Sequence, residues 1–106
     1  MNKADLEVSN VYDKYKRKTN MTYYELKIWS INPNSRLASL DRSPITRNLR
    51  LLSKPKSKWN LKDVEDANKT IAFISRMKKV KKGKKVVGKL SKRDISLLNW
   101  GFNPYK

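Results

Sequence analysis

Val8, Val11, Tyr12 and Tyr15 follow an i, i+3, i+4, i+7 series, which gathers them on one face of a helix. Asn2 stands where an N-cap belongs and Asp5 lies in the first turn, so the pattern predicts a helix from about Lys3 to Arg17. The next segment, TYYELKIWSINP, reads two ways. Tyr24, Leu26 and Ile28 alternate as in a strand, whereas Thr22 and Glu25 have the spacing of a capping box. The capping box favours a helix, ended by Asn32-Pro33 because the residue before a proline avoids the helical region.

Ser43 followed by Pro44 predicts another start, with Ser43 as N-cap and proline at the first helical position. Ile45, Leu49 and Leu52 then share an inward face, and Arg47, Arg50 and Lys54 share the opposite one, until Pro55 stops the helix. A core contact on one side thus carries a cationic ridge on the other.

The fullest helix signal begins at Asn60. Asn60 is the predicted cap, Asp63 occupies N3, and Trp59 and Val64 are spaced for a hydrophobic staple. Val64, Ala67, Ile71, Ile74 and Met77 continue a buried stripe, while Glu65 and Lys69 pair on the outer face, which Ala72 and Arg76 extend. The helix runs from the acids of DVED to the bases of RMKK, in line with its dipole, and should end near Lys79–Lys82. The same grammar returns at Leu90-Ser91. Ser91 caps, Asp94 sits at N3, Leu90 is placed to staple Ile95, and Leu97, Leu98 and Trp100 add apolar surface before Gly101 as a left-handed stop.

Between these helices, Val80 and Val86 flank Lys82-Gly83 in either a short hairpin or a loop. The elements together predict an all-α fold, a small single domain over residues 1–106 with four to five helices and a basic loop or short β-hairpin around residues 80–88. The last two helices, at about 61–79 and 91–100, are too far apart in sequence for a helix-turn-helix. Tyr12, Tyr15, Tyr24, Trp29, Trp59, Phe73 and Trp100 fall at core positions, and Tyr23 and Tyr105 are the expected exposed aromatics.

Charge changes this picture more than composition does. The chain of 106 residues carries 26 basic and 9 acidic side chains, a formal charge of +17. The excess is segregated. Residues 1–41 hold seven bases and five acids, residues 42–62 hold seven bases and no acid, and residues 76–93 hold ten bases and no acid. Such crowding opposes compaction and attracts polyanions, so an external partner is the expected source of neutralisation. A solvated, solubilising face would explain lysine runs in general, but not the absence of acids from two separate stretches.

Cysteine and histidine are absent, which excludes disulfides and thiolate metal sites and removes the commonest general base and zinc ligand. No phosphate-cradling glycine motif occurs. Asp63, Glu65 and Asp66 form the densest carboxylate cluster, at a helix start where they serve the dipole more simply than a metal. A non-enzymatic chain without a cofactor is therefore expected. The N-terminal residues lack a signal-peptide layout and no apolar run is long enough to span a bilayer. The expected setting is the cytoplasm, another intracellular compartment or a virion, not secretion.

The expected partner is nucleic acid, DNA or RNA, held through its phosphates. Lysine outnumbers arginine in residues 76–93, and lysine neutralises phosphate without reading bases well. The expected contacts are Lys78, Lys79, Lys81, Lys82, Lys84, Lys85 and Lys89 in that run, with Lys92 and Arg93 at the last helix start as a phosphate seat. Arg47, Arg50 and Lys54 join them from the short helix, where the arginines are the better base readers. Such a chain suits a nucleoprotein assembly or a regulator. The alternative is a protein-interaction module, or a viral inhibitor, that docks on an acidic surface of a larger complex. Binding to an anionic membrane is the weaker alternative, because the basic run lacks large flanking apolar residues.

Overall fold

The computed structural model describes residues 2–106. Among them are five α-helices and a short antiparallel hairpin: α1 (Lys3–Lys18), α2 (Tyr23–Ile31), α3 (Ser43–Ser53), α4 (Leu61–Lys78), β1 (Lys85–Val87), β2 (Leu90–Ser91) and α5 (Lys92–Asn99). Short 3₁₀ turns at Pro33–Arg36 and Lys56–Lys58 lead into and out of α3. The all-α architecture with a basic hairpin is as expected.

The caps explain most of the boundaries. Asn2 accepts the Asp5 N–H at 2.9 Å, and Thr22/Glu25, Asn60/Asp63 and Ser91/Asp94 each form a reciprocal capping box. Gly101 takes φ +87°, the left-handed stop after α5. The start of α3 differs from expectation. Asp41 accepts the Ser43 N–H at 2.9 Å and Arg42 occupies the N-cap position without a side-chain bond. The Asp41 turn draws Ser43 into the helix, so Pro44 is not its first residue.

Two apolar clusters build the core. Tyr15, Leu51, Trp59, Ala67 and Ile71 join α1, α3 and α4, whereas Met21, Leu26, Ile45 and Leu98 join α2, α3 and α5. Helix α3 belongs to both, which is why its buried arc is wider than the Ile45, Leu49, Leu52 stripe. Leu51 and Asn48 are fully buried, and Leu49 and Leu52 only half-buried. Trp59 sits edge-on to Tyr12 and Tyr15, at 5.0 and 5.5 Å between ring centroids.

The placement of several aromatics corrects the sequence reading. Tyr24 is 75% exposed rather than in the core. At a helical period, Leu26 turns inward while Tyr24 and Ile28 swing to the outer face, so their strand-like alternation is split. Tyr23, expected outside, is half-buried beside the Tyr24 ring. Trp29, Phe73 and Trp100 are half-buried, and Met77 likewise lies at the margin of the α4 stripe. The hairpin turn is also displaced. Val87 pairs with Leu90 around Gly88, at φ +53°, and Lys82-Gly83 belongs to the irregular link from α4. Gly88 supplies the left-handed conformation that a two-residue hairpin requires.

Candidate nucleic-acid interface

The two acid-free stretches meet different fates in space. In the first, α3 is tied to the start of α4. Arg50 donates to Asp66 and lies 3.3 Å from Asp63, and Lys54 approaches Asp63 at 2.6 Å. Lys62 lies 3.5 Å from Asp66 and Lys56 lies 3.1 Å from Asp13 of α1. Arg42 is also engaged, donating to the Ser35 hydroxyl and the Ser30 carbonyl at 3.0 and 2.7 Å. Much of this charge therefore fastens the chain to itself. Burial alone would push the Asp63 and Asp66 carboxyls up, but the cations and, at Asp63, the Asn60 N–H outweigh it and hold both below the ordinary range.

The second stretch is different. Among the described residues, Lys82 and Arg93 each lie 3.3 Å from Asp94, and no other basic side chain of residues 76–93 forms an ion pair. Lys78, Lys79, Lys81, Lys84, Lys85, Lys89 and Lys92 are exposed. They lie at the end of α4, in the irregular link, on the hairpin and at the first residue of α5, so the charge is displayed on a wing held between two helices. Asp94, fully buried, pins the base of that wing. It accepts the Ser91 N–H at 3.0 Å and the Tyr105 hydroxyl at 3.2 Å as well as meeting both cations. The Tyr105 ring in turn lies 4.3 Å from both Lys82 Nζ and Lys89 Nζ, an exposed aromatic with cations at its face.

Burial alone would raise the Asp94 carboxyl. The Ser91 N–H and the Lys82 and Arg93 cations outweigh that and hold it below the ordinary value of 3.8. Its folded value is thus depressed relative to the unfolded chain. The stabilisation is complete above the unfolded value and is lost as pH falls through the folded one. Asp63 and Asp66 act in the same sense. Urea midpoints should accordingly hold level near neutrality and fall once pH drops below about 4. Asp94→Asn should lower the neutral-pH midpoint and flatten the acid decline. An unchanged acid decline in the variant would refute this role for Asp94.

A second surface joins the wing through stacked side chains that the sequence did not suggest. Trp100 and Phe73 stack with centroids 4.1 Å apart at 12°. Arg47 lies 5.0 Å from the Trp100 ring and Arg76 lies 5.7 Å from the Phe73 ring. The series Arg47, Trp100, Phe73, Arg76 thus runs from α3 to the last turn of α4, where the wing begins. Beside Arg47 a cleft of about 510 Å³ separates α3 from α4, lined by Arg42, Ser43, Thr46, Arg47, Arg50, Lys62, Asp66 and Lys69. The signal missed was Phe73 and Arg76 one turn apart on α4, on the side where Trp100 arrives from α5.

No protein-family model matches the chain, no curated protein matches it and no solved structure matches it. The site therefore stands on its own chemistry. No helix among the described residues is long and apolar enough to cross a membrane.

Proposed function

We propose that the protein is a non-enzymatic nucleic-acid-binding protein that grips the phosphate backbone with its basic wing, as a component of a nucleoprotein assembly. The observation that carries this reading is the set of exposed lysines that runs from the end of α4 through the irregular link and the hairpin to the start of α5, without intramolecular carboxylate partners among the described residues. A phosphate backbone supplies the missing anions, and release of its condensed counterions supplies affinity. Tyr105 holds Lys82 and Lys89 against its ring and so gathers their charge at one end of the wing. Arg50 and Lys54 act mainly as internal fasteners in this reading, whereas Arg47 forms no ion pair among the described residues.

The test is a salt titration with unrelated oligonucleotides, read by fluorescence anisotropy. About six to ten phosphate contacts correspond to a log–log salt slope of −5 to −9 on duplex DNA. The affinities for unrelated sequences should lie close together, because backbone contacts position without specifying. A flat salt response would overturn the reading.

A further inference from the structure

Resting on the nucleic-acid reading, we infer that the cleft between α3 and α4 is a seat for a phosphate monoester, the phosphorylated end of a strand, distinct from the wing that holds the diester backbone. Five cationic side chains and one carboxylate line this cleft. A backbone diester brings a single negative charge, whereas a monoester brings about −1.5 to −2 at neutral pH and more acceptor oxygens. Several of these cations are shared with Asp63, Glu65 and Asp66, but three guanidinium groups and the Ser43 and Thr46 hydroxyls on one groove offer more donors than the two free oxygens of a diester can use, which suits the monoester.

The lining is also held in position. Arg42 is anchored by Ser35 and Ser30, and Arg50 by Asp66 and Asp63. A guanidinium carries more donors than these contacts use, so each anchored arginine retains N–H groups for a ligand. Arg47 lines the cleft and is laid against Trp100 at 5.0 Å, which steadies its guanidinium there. Ser43 and Thr46 place hydroxyl groups on the same wall, in the first turn of α3. Arginine forks bind phosphate oxygens bidentately, and adjacent hydroxyls add donors for the remaining oxygens.

The experiment compares one short oligonucleotide carrying a 5′-phosphate with the same strand carrying a 5′-hydroxyl, by anisotropy at fixed salt. The parent should prefer the phosphorylated strand by about tenfold, the scale of a charge-assisted contact. Arg47→Gln should bring the two strands to equal affinity, whatever it removes from the binding that both share. Because Arg47 also packs on Trp100, Lys69→Gln serves as the second variant. It is exposed, and it should reduce the preference without disturbing the fold. Equal binding of both strands by the parent would overturn the end seat while leaving the nucleic-acid reading intact. Failure of both strands to bind would remove both. Inorganic phosphate, followed by tryptophan fluorescence, separates a strand end from a small phosphate compound. Saturation by inorganic phosphate together with no gain for the phosphorylated strand would overturn the strand-end assignment.

Discussion

Asn48→Ala should destabilise the protein by about 3–5 kcal/mol, because it strands two buried hydroxyls. Asn48 is fully buried in α3. Its Oδ1 accepts from the Tyr15 hydroxyl of α1 and from the Thr70 hydroxyl of α4, each at 2.8 Å. Its Nδ2 donates to the Pro44 carbonyl at 2.8 Å, which holds the amide in that orientation. Burial pushes the Tyr15 phenol well above its ordinary value, so it keeps its proton and remains a donor. An unsatisfied buried polar group costs about 1–3 kcal/mol, and alanine leaves a gap besides. Tyr15→Phe removes a single donor and should cost about 1 kcal/mol. Urea unfolding of both variants and of their combination measures the coupling. A loss below about 1 kcal/mol for Asn48→Ala would show that the network does not tie the three helices together.

Replacing Lys79, Lys81, Lys84, Lys85, Lys89 and Lys92 with glutamine should weaken nucleic-acid binding by roughly a hundredfold or more near physiological salt and make the salt slope shallower by about 3–5. These residues are exposed and form no ion pair among the described residues, so the fold should persist. Reduced self-repulsion should leave its stability unchanged or slightly raised. Lys82 is spared because it neutralises buried Asp94. The loss should be similar for unrelated sequences. Circular dichroism reports the fold, and paired salt titrations report binding. Binding equal to the parent would reduce the wing to a solubilising surface and overturn the proposed function. Arg50→Gln should behave differently, lowering stability first, since it removes the tie from α3 to Asp66 and leaves Asp63 to Lys54 alone.

That contrast marks how far the candidate site was legible. Residues 42–62 and 76–93 look alike as sequence, each a run of bases without acids. Folding brings Arg50 and Lys54 onto the acids at the start of α4, while most of the later lysines meet none. An acid-free stretch is defined along the chain, but neutralisation is decided across space. The same holds for Arg47 and Arg76. Phe73 lies one turn from Arg76 on α4, but Trp100 reaches Arg47 and Phe73 from beyond α5, so local spacing could announce only half of the stack.

Local chemistry by itself determined the helices. Capping boxes and prolines act within a few residues, which is why α1, α2, α4 and α5 begin where their side chains predict. Net charge and its segregation are likewise properties of the chain alone. The buried stripes of α1 and α4 were also legible, whereas for α2 only the tertiary structure decided which face was buried. A helix with apolar residues around more than half its girth, such as α2, has no unique inward face until its neighbours pack. Contact with α3 and α5 buries Leu26 and leaves Tyr24, Ile28 and Ile31 outside. Asn48 shows the same dependence. A polar residue reads as surface in a sequence, and it became the buried centre of the fold because Tyr15 and Thr70 arrive from other helices to satisfy it.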